Sequence, residues 1–210
     1  MNNELKKRFL SSIIILPVAL LAIINGSTLF VFFLGFLFLA TSFEWIKMSK
    51  KNLFKNIIGI IFLILSFFSA FQLRSLYGYD FFILVLLACI FTDLGGFFFG
   101  KIFKGPKLTR ISPNKTYSGV VGSFFLPILF CFIYNNYFNL DYAQVFKINL
   151  ILLILLISLI SQSGDLIISY FKRIAKVKDT GKILPGHGGI LDRLDGLIFV
   201  IPILYFFTKL

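Results

Sequence analysis

Long apolar stretches separated by short polar ones run the length of this 210-residue chain. Seven apolar segments fall at approximately 9–25, 28–46, 56–73, 80–100, 118–137, 148–170 and 190–208. Each spans roughly 17 to 23 residues, enough to cross a ~30 Å hydrocarbon layer at about 1.5 Å per residue. Inside lipid every backbone polar group needs an internal partner, so such segments are predicted to be helices. The short turn Asn25-Gly26-Ser27-Thr28 predicts a helical hairpin over 9–46. No internal repeat, low-complexity tract or soluble domain interrupts the pattern. The expected fold is all-α, a single polytopic membrane domain over 1–210 with about seven transmembrane helices.

Composition strengthens that reading. The chain is 58% hydrophobic, its mean hydropathy is +0.93, and it holds 29 phenylalanines. A soluble domain of this length rarely carries so much apolar content. The first apolar run lacks a small-residue cleavage site, so a cleavable signal is not expected. Cys89 and Cys131 both lie inside apolar segments and read as packed thiols rather than a disulfide or metal pair.

Charge gives the chain an orientation. With the N-terminus inside and the loops assigned alternately, Lys6, Lys7, Arg8, Lys47, Lys50, Lys51 and Lys55 are cytosolic. So are Lys101, Lys104, Lys107, Arg110, Lys115, Lys172, Arg173, Lys176, Lys178, Lys182 and Arg193. Only Arg74, Lys147 and Lys209 fall on the other face, out of 21 Lys and Arg in all. This asymmetry predicts an odd number of spans and a multi-pass protein of the cell (inner) membrane. The net charge of +12 then lies almost wholly on the cytosolic side. It suits anionic headgroups, or an anionic soluble substrate meeting an anionic lipid. Charges held in short loops against a bilayer are poorly placed for nucleic acid.

The acids carry the chemistry. Glu4, Glu44, Asp80 and Asp141 lie at segment ends or in loops, Asp179 lies in a loop, and none of them calls for a special role. Asp93, Asp165, Asp192 and Asp195 instead lie within or against apolar segments. An ionised Asp at mid-membrane costs roughly 2.5–3.5 kcal/mol on insertion scales, so such residues are functional candidates. Asp93 and Asp165 each precede a cytosolic lysine by about two helical turns. Asp192 and Asp195 open the last segment at that same level, spaced to share a helix face. Carboxylates converging there repel one another unless a cation intervenes, and a hard divalent ion such as Mg²⁺ suits oxygen ligands. The plainer alternative pairs Asp192 and Asp195 with Arg193 and Lys172 as structural ion pairs. Asp93, beside Gly95 and Gly96, has a helix-packing reading of its own.

The stretch Pro185-Gly186-His187-Gly188-Gly189 stands just before the last segment. Glycines let backbone N–H groups approach an anion, so this loop is either a phosphate cradle or a flexible entry to the helix. His187, the only histidine, has no metal-ligand pattern around it. The stretch 100–107 begins like a nucleotide-binding P-loop but ends in Gly105-Pro106-Lys107 after a membrane segment, and is rejected. Residues 107–119 form a better polar element, offering Ser112, Lys115 and Thr116, or else a solvated loop.

From Ser169 to Asp195 the chain resembles the signature of the phosphatidate cytidylyltransferases, also called CDP-diacylglycerol synthases. The resemblance rests on Ser169, Lys172-Arg173, Lys178-Asp179, Gly181, Pro185, His187-Gly188-Gly189 and Asp192-Arg193-x-Asp195. Gly164-Asp165 and Ser112-Pro113-x-Lys115-Thr116 also resemble the family, so the likeness covers mainly 93–196. Tyr117-Ser118 stands where the family pattern leads one to expect an acid before glycine, and Leu94 where Thr is usual.

The resemblance implies a Mg²⁺-dependent reaction in which CTP and phosphatidate give CDP-diacylglycerol and pyrophosphate, at the cytosolic face. It assigns cation binding to Asp165 and Asp192, with Asp195 in the same signature, and leaves room for a second cation. Lys172, Arg173 and Lys178 would draw in and neutralise phosphates. The implied substrate-binding set also takes in Ser112, Lys115, Thr116, Ser169, Asp179, Gly188, Gly189 and Arg193. His187 would orient a phosphate. Membrane lipids surround the spans, and a homodimer is compatible with an open lateral groove, though the sequence does not specify one.

Two rivals are weaker. A CDP-alcohol phosphotransferase shares the opening of "DRLDG", but Leu197-Ile198-Phe199-Val200 replace its Ala-Arg continuation. An ion-coupled transporter would need polar residues across both membrane halves, and the non-cytosolic halves here are almost wholly apolar.

Overall fold

The computed structural model describes residues 16–49, 52–109, 112, 115–138, 148–183 and 188–209. Of these residues 83% are helical, and none forms a β-strand. The helices are α1 (Leu16–Asn25), α2 (Ser27–Met48), α3 (Leu53–Phe103), α4 (Tyr117–Phe138), α5 (Leu150–Ala175), α6 (Leu191–Leu194) and α7 (Leu197–Phe207). Four of them, α2 to α5, are long and apolar enough to cross a membrane. The all-α membrane architecture expected from the apolar pattern is therefore present. Of the predicted hairpin over 9–46, residues 9–15 lie outside the described set.

α3 accounts for two of the seven predicted segments. Its 51 residues are interrupted at Gly78, whose φ of 80° and ψ of 175° are non-helical and suit a residue without Cβ. The contacts show that the two halves run in opposite directions. Arg74 meets Ile23 and Ile24, while Phe82, on the far side of the break, packs edge-on against Phe30 at 5.6 Å. Deeper in the bundle, Ser66 of the first half donates to Ile198 O at 2.7 Å, and Thr92 of the second half donates to Ser158 Oγ at 3.0 Å. Each such bond in a membrane protein contributes on the order of 0.6 kcal/mol.

Close approach of backbones sets the rest of the bundle. Gly95, Gly96 and Gly100 of α3 face Gly119, Gly122 and Ser123 of α4, with carbonyls of each helix lying where a Cβ of the other would be. Small residues permit this approach where lipid supplies no hydrophobic drive between helices. Gly164 of α5 likewise abuts the backbone of Asp195, and Gly196 abuts Ser161. Apolar side chains from α2, α3, α5 and α7 fill the interior, including Phe30, Phe81, Leu84, Ile154, Ile157 and Val200. Others face outward as a membrane requires, among them Phe32, Phe36, Ile61 and Leu152.

Candidate active site

One end of the bundle gathers nearly all the chemistry. α5 carries Ser158, Ser161, Asp165 and Ser169 at helical spacing, a small and polar stripe on a largely apolar helix. Ser158 meets α3 and Ser161 meets Gly196. The next position along the stripe therefore places Asp165 against the turn between α6 and α7. There its carboxyl group lies close enough to that of Asp195 for the two to interact. Ser169 donates to Asp165 Oδ1 at 3.2 Å, and Lys115 forms an ion pair with Oδ2 at 2.6 Å. Asp93 is exposed and within electrostatic reach of Asp165, Lys115 and Arg193. Segments far apart in sequence thus supply one cluster.

Asp192 belongs to a second, adjoining arrangement. Its Oδ1 pairs with Lys172 Nζ at 2.8 Å. Its Oδ2 accepts the N–H of Thr180 at 2.8 Å and of Gly189 at 3.0 Å. The Gly189 contact reaches back three residues, as the acid of a capping box does. The carboxyl that meets Asp165 is therefore that of Asp195, whereas Asp192 is held by a lysine and two amides. The sequence-level alternative of an Asp192–Lys172 ion pair is what the structure contains. Asp192 and Asp195, expected to act on one face, have different neighbours.

At its described end, the glycine-rich loop turns its amides toward protein carboxylates. Gly189 N–H is taken by Asp192, and the next two amides are taken by Glu44. Ile190 N–H reaches Glu44 Oε1 at 3.0 Å and Leu191 N–H reaches Oε2 at 2.9 Å, while Thr180 Oγ donates to Oε2 at 3.0 Å. Glu44 is 1% exposed. A Cβ on Gly181 or Gly189 would press into the Glu44 carboxyl, so these glycines make room for a protein carboxylate. Gly188, at φ 86°, lies between Asp179 and Asp192. His187, Pro185 and Gly186 lie outside the described residues. Glu44 is the residue the sequence reading passed over. The insertion-cost argument applied to Asp93 fits it too, since it lies inside the 28–46 segment beside the chain's one tryptophan.

The remaining candidates divide by location. Thr116 caps α4, accepting from Gly119 N–H at 3.1 Å, and Ser112 accepts Lys115 N–H at its carbonyl at 3.1 Å. With the isolated bridge between Lys107 and Thr116, these bonds fold the segment so that Lys115 reaches Asp165. Ser169 is buried and serves Asp165. Arg173, Lys178, Asp179 and Arg193 are exposed at the same end.

The donors suit a hard cation. Two neighbouring carboxylates such as Asp165 and Asp195 repel unless a proton or a cation lies between them. No group of three or more His, Cys, Asp or Glu able to hold a metal ion occurs among the described residues. Mg²⁺ needs no larger protein cluster, since it commonly takes one or two carboxylates and completes its shell with phosphates and water.

Comparison with known proteins agrees with the site. The cytidylyltransferase family matches over residues 49–210. A protein of Rickettsia felis named phosphatidate cytidylyltransferase is 35% identical over 210 residues, covering 97% of this chain and 92% of that protein. One of the same name from Rickettsia typhi is 34% identical, covering 94% of this chain and 89% of its own length. A Bacillus subtilis protein so named is 42% identical over 130 residues, 60% of this chain and 47% of its own.

Proposed function

The chain belongs to the cytidylyltransferase family, and from that premise we propose that it transfers the cytidylyl group of CTP to phosphatidate, giving CDP-diacylglycerol and pyrophosphate. The observation that carries this reading is the meeting of Asp165 and Asp195 with Lys115, beside the Lys172–Asp192 pair, at one end of a membrane bundle.

A phosphatidate oxygen attacks the α-phosphorus of CTP, the bond to the bridging oxygen of the β-phosphate breaks, and pyrophosphate leaves. Phosphatidate is already ionised at neutral pH, so no strong base is needed. Both reactants are anions, so charge neutralisation and alignment carry the rate. Asp165 and Asp195 would hold Mg²⁺, which when bound supplies charge stabilisation to phosphate oxygens and the leaving group. Lys115 and Lys172 turn ammonium groups toward that same space, while Ser169 orients Asp165. Arg173, Lys178 and Arg193, exposed at this end, would draw in anions. Asp192 keeps Lys172 in place and is itself held by Thr180 and Gly189, and His187 orients a phosphate. The positive-inside asymmetry supports a cytosolic location for this end, level with the headgroup of a membrane-resident substrate. The exposed apolar side chains of the spans are covered by membrane lipids.

Purified protein in detergent, given labelled CTP, phosphatidate and Mg²⁺, is expected to form labelled CDP-diacylglycerol, and chelation of the cation to stop it. Asp165→Asn and Asp195→Asn should each fall on the order of 100-fold or more while still inserting. Product formation undiminished by chelation and by both substitutions would remove the metal site. Ion flux without product would favour a transporter.

A further inference from the structure

Glu44 stands 136 to 147 residues before its three hydrogen-bond donors and outside the stretch that resembles a signature. It is buried, and burial of a carboxylate is costly unless donors satisfy it. Those donors come from two separate points of the chain, Thr180 and Ile190-Leu191. Thr180 gives its hydroxyl to Glu44 and its N–H to Asp192. Gly189 gives its N–H to Asp192, and the next two residues give theirs to Glu44. Both carboxylates thus bind Thr180 together with the 189–191 segment, so the position of one constrains that of the other. Asp192 in turn holds Lys172.

We propose that Glu44 is a positioning residue for cytidylyl transfer: its carboxylate ties Thr180 to the Ile190 and Leu191 amides and thereby orients Asp192 and Lys172 against the substrates' phosphates. The proposal rests on the reaction assigned above. Glutamine cannot replace the group. In either orientation its NH₂ faces a backbone N–H, of Ile190 on one side or Leu191 on the other, so the loop must shift.

The test is Glu44→Gln in the full-length protein, with kinetics and hydrogen exchange measured on the same preparation. Its kcat is expected to fall roughly 10- to 100-fold, the range for residues that orient a site's ligands. KM for CTP and phosphatidate should stay within about threefold. Exchange of the Thr180, Gly189, Ile190 and Leu191 amides should quicken about tenfold, with the cores of α4 and α5 unchanged. Combined with Asp192→Asn, the loss should be far less than the product of the two single losses, because both act through one loop. Independent multiplication of the losses would overturn the proposal, as would wild-type kcat. Should Glu44→Gln fail to fold, Thr180→Val removes one of the three donors, and a several-fold loss in kcat at unchanged KM is expected. Unaltered kcat there would overturn it. If the wild-type protein makes no CDP-diacylglycerol, the assigned reaction fails. The exchange experiment then judges Glu44 separately, unchanged loop exchange ruling out its grip on the loop.

Discussion

Lys115 and Lys172 each pair with one aspartate, yet the two pairs differ in surroundings. The side chains of Lys115 and Asp165 are 26% and 25% exposed, whereas those of Lys172 and Asp192 are 12% and 8% exposed. A partly wetted pair contributes ~1 kcal/mol or less, while removing one partner of a buried pair costs roughly 3–5 kcal/mol by stranding the other charge. Lys115→Met is therefore expected to unfold close to wild type in detergent, and Lys172→Met at a clearly lower temperature. Both should lose activity, on the order of 100-fold, by removing positive charge from the phosphate-facing space. Gly189→Ala tests crowding without a charge change. Its methyl would press into Thr180 Oγ and the Glu44 carboxyl, and about 1–3 kcal/mol of destabilisation is expected from overpacking.

Among the elements, α3 and α4 depend most directly on missing side chains. Gly95 and Gly122 place each helix's backbone where the other's Cβ would sit. Gly95→Ala should force the helices apart, lower the thermal midpoint and displace Asp93, two residues earlier on α3. Gly35, in the middle of α2, has nothing within 4 Å of its would-be Cβ. Gly35→Ala is therefore expected to be neutral or to stabilise by roughly 0.5–1 kcal/mol through helix propensity alone. Thermal unfolding of the two variants side by side checks this contrast. Gly78 differs again, because its φ of 80° would strain any residue bearing a Cβ despite the open space around it.

For the whole molecule, the proposed orientation makes a labelling prediction. Cys89 and Cys131 are buried, so the native thiols should react slowly with a membrane-impermeant maleimide. Lys182→Cys, exposed at the site's end, should label only when the cytosolic face is open to reagent. Tyr137→Cys, 80% exposed at the opposite end of α4, should label from the other side. The reverse pattern would invert the assigned topology. The run of apolar residues determined by itself that the chain is helical and membrane-bound, because a backbone in lipid has only local partners to satisfy it. Charge along the loops placed Asp165, Asp192 and Asp195 near one level, because helical rise converts residue count into depth. Which carboxylates touch was decided only in three dimensions. Depth does not fix the rotation of a helix, and the approach of Gly164 and Gly196 turned Asp165 toward Asp195. Glu44 stayed hidden for the same reason: its donors lie more than a hundred residues away, and only the packing of α2 brings them to it.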